Sequence, residues 1–174
     1  MALLKVEQLS IVFPDSRKGG GQPSVAAVSD LTFKVRHGQT LCLVGESGSG
    51  KSLTARAVMG LLPQAAHMTG QILFDSVPLF ENGIAHQGHR YCGNGMAMVF
   101  QEPLASLTPS MTVENLVGEA WRYRTHSTRE VTRRRVVETL AQVGVPEPEA
   151  LLSRYPWQLS GGLAQRVLIA SALI

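Results

Sequence analysis

One octapeptide constrains this 174-residue chain more than any other feature: GESGSGKS at 45–52, directly behind the apolar run TLCLV at 40–44. The spacing is G-x-x-x-x-G-K-[ST], and the chemistry behind it is specific. A polyphosphate must be wrapped by backbone N–H groups, which requires glycine at Gly45, Gly48 and Gly50 for close approach and for dihedrals that side chains resist. Glu46, Ser47 and Ser49 fill the loop between them. A helix starting near Lys51 brings its positive N-terminal end to the anion. Lys51 then reaches the β- and γ-phosphates, and the Ser52 hydroxyl completes a Mg²⁺ shell.

The flanks agree with the motif. TLCLV is short and continuously apolar, as a strand buried on both faces of a parallel sheet is. Leu53, Ala57, Val58, Leu61 and Leu62 recur at helical spacing as far as Pro63. A chance Gly/Ser-rich turn would not bring strand, loop and helix in this order. The expectation is an α/β fold with a nucleoside triphosphate site.

Around this centre, residues 3–13 and 26–36 alternate apolar and polar, which predicts a small antiparallel sheet. The segment PDSRKGGGQPS (14–24) between them reads as a loop. QILFD (71–75) predicts another strand, 81–95 a Gly- and His-rich loop, and MAMVF (96–100) a second buried strand. The rest is helical. One helix starts at Thr112; another carries an S-x-x-E capping box from Ser127 to Glu130. Its apolar stripe would be Val131, Val136, Val137, Leu140 and Val143, ending at Gly144 and Pro146. Leu151 and Leu152 lie in a short helical stretch.

The last helix opens at LSGG (159–162). Ser160 offers a hydroxyl, and Gly161 and Gly162 leave backbone N–H groups facing outward, a second anion site at a helix N-terminus. Without a lysine it is poorly equipped to hold a triphosphate, but it suits the γ-phosphate of a nucleotide held elsewhere. A loop followed by an ordinary capped helix is the alternative.

GESGSGKS, FQEP (100–103) and YPWQLSGGLAQR (155–166), in that order, resemble the ATP-binding subunit of ABC transporters. VGESGSGKSLTARAVMGLLP, MVFQEPLASLTP and LSRYPWQLSGG resemble in particular the importer branch for dipeptides, oligopeptides and nickel. The resemblance implies a P-loop NTPase core of RecA-like type with an N-terminal antiparallel β subdomain and an α-helical subdomain. It places the β subdomain and P-loop core at 1–101, the helical subdomain at 102–158, and the signature motif with its helix at 159–174. Phe13 is similar to the aromatic that stacks on adenine, with a strand-core residue as the alternative. Gln101 is similar to the glutamine that approaches Mg²⁺ and the attacking water. Ser160, Gly161 and Gly162 resemble the signature that completes the opposing subunit's site in trans, two subunits facing head to tail around two ATP molecules. Implied partners are two permease subunits, a second ATP-binding subunit and, indirectly, a solute-binding protein, with the chain peripheral on the cytoplasmic face of the inner membrane.

The resemblance also implies what should follow the signature helix: an apolar strand ending in Asp-Glu, then a switch histidine. Neither lies within the 174 residues, and the five histidines all precede the signature. No catalytic residue is therefore assigned. The 174 residues alone are expected to have negligible ATPase activity and to be poorly soluble or partly folded, because the strand at 40–44 would present open edges.

Composition narrows the remaining options. Hydrophobic residues are 44% and charged residues 17%, a globular balance. The net charge of +3 is too small to argue for nucleic acid. Arg122, Arg124, Arg129, Arg133, Arg134 and Arg135 read as a solvated helix face. Trp121, Tyr123, Tyr155 and Trp157 read as packing residues or as contacts to the membrane subunit. His86, His89 and Cys92 are spaced three apart, but a fourth metal ligand is not evident. Two cysteines make no disulfide framework; Cys42 reads as a small core residue, and a reducing compartment is expected. The N-terminus lacks signal-peptide character, and no run approaches the ~20 apolar residues of a membrane span.

Overall fold

A computed structural model describes residues 2–14, 25–81, 83–86 and 91–174. The chain divides into two compact units, Met1–Met96 and Ala97–Ile174.

The first unit is built on a five-stranded antiparallel sheet in the order β2-β1-β3-β4-β5. The strands are β1 (Ala2–Phe13), β2 (Val25–Arg36), β3 (His67–Phe74), β4 (Val77–Glu81) and β5 (Ile84–Ala85). Alternation in β1 is interrupted once. Val6 and Leu9 are both buried although three residues apart, and Ile11 resumes the period of two. The pairing of β1 with both neighbours shifts register there, and Gln8 sits at φ 49°. Opposite the bulge, Gly70 (φ 99°) passes so close that a Cβ would lie 2.5 Å from the Gln8 carbonyl oxygen. The bulge rotates the second half of β1 so that both halves bury the same face. Asp75 and Ser76, both at positive φ, make the tight turn from β3 to β4.

One helix, α1 (Lys51–Val58), packs on this sheet through Ala57, Leu53 and Val58. It is shorter than the apolar spacing predicts. Gly60 (φ 68°) turns the chain left-handed, its N–H donating to the Ala57 carbonyl and that of Leu61 to the Arg56 carbonyl at 2.8 Å. That paired closure satisfies the last carbonyls and ends the helix before Leu61 and Leu62.

Two predicted buried strands are absent. Residues 39–46 have no regular structure, Val44 is 88% exposed, and Leu41, Cys42 and Leu43 are exposed too. Cys42 is thus no core residue in this structure. In the second unit, 97–100 is likewise irregular, with Val99 and Phe100 exposed; Met96 makes only an isolated bridge to Cys92. A strand exists through its ladder, and no described residue pairs with either segment. The predicted loop at 81–95 instead carries β5. Positions 82 and 87–90, like 15–24 of the predicted 14–24 loop, lie outside the described residues.

The second unit is helical: α2 (Pro103–Ser106), α3 (Val113–Thr125), α4 (Arg129–Gln142), α5 (Pro148–Leu151), a 3-10 turn at Pro156–Gln158, and α6 (Gly161–Leu173). Val113, Val117, Val136, Leu140, Leu152, Ala164, Val167 and Ala170 form its core. Helices α3 and α4 touch at Gly118, where a Cβ would stand 2.8 Å from Thr132 Cγ2.

The buried face of α4 is Thr132, Val136, Thr139 and Leu140, while Val131 is exposed. Both threonine hydroxyls donate within the helix, to the carbonyls of Thr128 and Arg135, which lets their methyl groups face the core. The α4 cap is Thr128, accepting from Val131 N–H at 3.4 Å, rather than Ser127, whose hydroxyl is engaged with that of Thr125. Thr112 stands at the α3 N-cap position but makes no side-chain cap. The α3 N–H groups of Val113 and Glu114 donate to the carbonyls of Arg154 and Leu152.

The basic stretch is exposed except at Arg135, which is half-buried, and ion pairs hold its Arg129, Arg133, Arg134 and Arg135. Arg129 and Arg133 both reach Glu114, Arg134 pairs with Glu130, and Arg135 with Glu138. Trp121 is half-buried with the Arg135 guanidinium 5.3 Å above its ring, whereas Tyr123 stands exposed.

Candidate functional site

The phosphate loop lies in the first unit. Gly48 (φ 84°) and Gly50 (φ 85°) are both left-handed, the region a Cβ resists. At Gly50 space is denied as well: a Cβ would stand 2.5 Å from the Ala27 carbonyl oxygen and 2.7 Å from Val28 Cγ2. Gly45 approaches Ser49 so closely that a Cβ would meet its Oγ at 2.7 Å. The loop glycines are not equivalent: Gly48 is held by its dihedral and Gly50 by dihedral and backbone contact, whereas the close approach at Gly45 is to the movable end of the Ser49 side chain.

Local bonds hold the loop's shape. Ser49 N–H donates to the Glu46 carbonyl at 3.2 Å, and the buried Thr54 donates through both N–H and hydroxyl to the Gly50 carbonyl. Lys51 folds back across the loop. Its ammonium donates to the carbonyls of Gly45 (2.8 Å) and Glu46 (2.6 Å) and to Ser49 Oγ (3.2 Å). Helix α1 starts at Lys51 with no side-chain cap and no acidic residue in its first turn, and Ser52 is exposed there. Its first amide groups and positive end are thus free for an anion. Beside the loop is a hollow of about 290 Å³ lined by Val28, Leu31, Val44, Ser49, Lys51 and Thr54, among others. Glu46, Ser47 and Ser49 are exposed on the loop.

Phe13, at the end of β1, is half-buried and packs against the sheet's apolar cluster. Gln101 belongs to the second unit, exposed in a bend before α2.

The second glycine turn also lies in the second unit. Ser160 caps α6, its Oγ accepting from Leu163 N–H at 3.4 Å while its carbonyl accepts from Ala164 N–H. A Cβ at Gly161 or Gly162 would meet nothing within 4 Å. Neither residue has a left-handed φ. Among the described residues nothing requires glycine at these two positions, in contrast to Gly48 and Gly50 of the phosphate loop. Their lack of side chains leaves the α6 N-terminus open to approach. The Arg166 guanidinium of α6 donates to the Gly144 carbonyl at the end of α4, tying the signature helix to its neighbour.

Sequence spacing did not reveal the aromatic pair just ahead of this turn: the rings of Tyr155 and Trp157 stack at 5.9 Å and 10°. Among the described residues no group of three His, Cys, Asp or Glu is placed to hold a metal ion. His86 is exposed, Cys92 Sγ donates to the Met59 carbonyl, and His89 lies outside the described residues.

Comparison with known proteins gives a consistent result. Residues 28–174 match the family model for the ABC transporter. The chain is 43% identical over 178 aligned residues to the glutathione import ATP-binding protein GsiA of Escherichia coli O157:H7, covering 98% of this chain and 28% of that protein. It is 44% identical over 174 residues to the peptidoglycan transport ATP-binding protein YejF of Agrobacterium fabrum, covering 98% and 31%. The chain thus spans less than a third of the length of these curated relatives. Among solved structures, the ATP-binding cassette MJ0796, a dimer in a post-hydrolysis state bound to ADP and Pi, superposes with a TM-score of 0.80 at 25% identity. That match covers 98% of this chain and 68% of the cassette. The cassette cbiO1 of Clostridium perfringens, part of the transporter complex cbiONQ, superposes with a TM-score of 0.71 at 26% identity, covering 99% and 61%. The fold is that of the α/β ATP-binding cassettes, and with both glycine turns inside the matched region the chain belongs to the ABC transporter family of ATP-binding proteins.

Proposed function

We propose that this chain is the nucleotide-holding portion of an importer's ATPase subunit. The observation that carries the reading is Lys51, held across a loop whose Gly48 and Gly50 are both left-handed, at the uncapped start of α1. In this reading the loop N–H groups from Gly45 to Ser52 cradle the ATP phosphates. The Lys51 ammonium, held over the loop by two carbonyls and Ser49 Oγ, exchanges these acceptors for oxygens of the β- and γ-phosphates, where a charge-assisted contact offsets the bonds given up. The Ser52 hydroxyl would help hold Mg²⁺ on the phosphates, where the ion would neutralise their charge, and Phe13 would stack on the adenine. Residues 1–101 serve as β subdomain and P-loop core, 102–158 as helical subdomain, and 159–174 as the signature.

The open turn at Ser160, Gly161 and Gly162 faces the γ-phosphate bound by a second ATP-binding subunit, paired head to tail. Its open amides suit that task, and the lack of a lysine keeps it from holding a triphosphate by itself. Hydrolysis in the whole protein uses an acidic residue and a histidine supplied outside these 174 residues. The cargo is peptide-like, in keeping with the glutathione and peptidoglycan named for the relatives, which favours peptide over nickel. The remaining partners are permease subunits and, through them, a solute-binding protein; the site of action is the cytoplasmic face of the inner membrane. Among the described residues no helix is long and apolar enough to cross a membrane.

Sedimentation of the protein with Mg²⁺ and a non-hydrolysable ATP analogue tests the pairing. The analogue is expected to produce a dimer, and Ser160→Arg to abolish it while leaving nucleotide binding intact. A dimer that tolerates Ser160→Arg would overturn the trans assignment.

A further inference from the structure

Trp157 is 71% exposed, an unusual place for the largest side chain, three residues ahead of Ser160. It is nonetheless held in place. Its ring stacks on Tyr155 at 5.9 Å with only 10° between the planes. The backbone beneath is a 3-10 turn at Pro156–Gln158, with Pro156 fixing one φ. Gln158 locks the turn twice: its side-chain carbonyl accepts from Tyr155 N–H at 2.9 Å, and its own N–H donates to the Tyr155 carbonyl. Leu159, the next residue, is buried and anchors the turn to the helical core. The outcome is a flat aromatic surface, oriented in advance, partly overlapped by the Tyr155 ring and otherwise in solvent.

We propose that Trp157, backed by Tyr155, is a stacking platform for the base of the nucleotide held by the opposing subunit. The inference rests on the reading of Ser160, Gly161 and Gly162 as acting in trans. Three residues of extended chain reach at most about 10 Å, so a contact at Ser160 confines Trp157 to the neighbourhood of the same nucleotide. The base lies a ribose and two phosphates away from the γ-phosphate, and a flat ring displaced from the phosphate contact is the chemistry that recognises a base. Stacking uses the π-face common to all bases, so the platform adds affinity for any nucleoside triphosphate and none for a bare polyphosphate. The cost of ordering is already met by the Tyr155 stack and the Gln158 lock, so little side-chain entropy is lost on contact.

The test compares two probes in the protein carrying this chain: a non-hydrolysable ATP analogue and inorganic tripolyphosphate, each with Mg²⁺. The readout is the probe concentration giving half-maximal dimer in sedimentation. Trp157→Ala is expected to raise that concentration about tenfold for the nucleotide and leave it unchanged for tripolyphosphate, with Trp157→Phe restoring most of the loss. Because Trp157 is exposed, the melting temperature of the variants should stay within a degree or two of the parent. A dimer formed by the nucleotide at the same concentration in Trp157→Ala and parent would overturn the inference while leaving the trans reading intact. Equal losses for both probes would also overturn it, since a general interface contact does not distinguish base from phosphate. Failure of the nucleotide to produce any dimer of the parent would overturn the trans reading and the inference together.

Discussion

Gly48→Ala and Gly50→Ala form a pair that separates two physical costs inside the phosphate loop. Both glycines sit at nearly the same dihedral, φ 84° and 85°. An alanine at either position must adopt a left-handed conformation, costing about 1–2 kcal/mol. Only the surroundings differ. A Cβ at position 48 meets nothing within 4 Å, whereas at position 50 it lies 2.5 Å from the Ala27 carbonyl oxygen and 2.7 Å from Val28 Cγ2. The carbonyl belongs to β2, where backbone cannot yield as a flexible side chain would, and the overpacking adds about 1–3 kcal/mol. Gly48→Ala should therefore destabilise the protein by about 1–2 kcal/mol, and Gly50→Ala by about 2–5 kcal/mol. Denaturant unfolding reads both as midpoint shifts at constant slope. If Gly50→Ala is no more costly than Gly48→Ala, the steric argument at β2 is wrong.

The signature glycines should behave in the opposite way. Gly162→Ala, in a helix with open space around it, should stabilise the fold by up to about 1 kcal/mol while weakening nucleotide-induced dimerisation; unfolding and sedimentation on the same variant show whether the two effects separate. Thr128→Ala should cost about 1 kcal/mol as the loss of a helix cap, and Ser127→Ala within about 0.5 kcal/mol, in thermal melts of each. Leu140→Ala, fully buried where α4 meets the helical core, should cost about 2–5 kcal/mol; a loss under 1 kcal/mol would show that this core closes around the gap.

What the sequence could show depended on the range of the interaction responsible. The phosphate loop was legible because glycine, lysine and serine at fixed spacing carry their chemistry locally. Strands β1 and β2 were legible because one buried face writes period two into each; β4, where the adjacent Leu79 and Phe80 are both buried, and the two-residue β5 carry no such signal. The bulge at Gln8 was not, since a shift of register is visible only against the neighbouring strand, and Gly70 makes sense only with Gln8 opposite. Apolar spacing runs on through Leu61 and Leu62, past the end of α1, although Gly60 carries the stop signal. The apolar spacing of α4 takes in the exposed Val131 and passes over the buried Thr132 and Thr139, because threonine reads as polar although its hydroxyl is satisfied within the helix. TLCLV and MAMVF read as buried strands because their apolar character is real. Burial needs neighbours: Met96 packs against the first unit's buried cluster, but Leu41, Leu43, Val44, Val99 and Phe100 stand exposed. In the candidate site, Gly161 and Gly162 stand out in the sequence, but that no contact among the described residues demands them is a structural observation.

The central claim is that the loop at 45–52 holds a nucleoside triphosphate through Lys51. Calorimetric titration of Mg·ATP into the parent protein and into Lys51→Ala tests it most directly. The account predicts one ATP per phosphate loop in the parent and a loss of at least about tenfold in affinity on removing the ammonium, a charged partner worth about 1.5–3 kcal/mol. Equal affinity in the two proteins would contradict it.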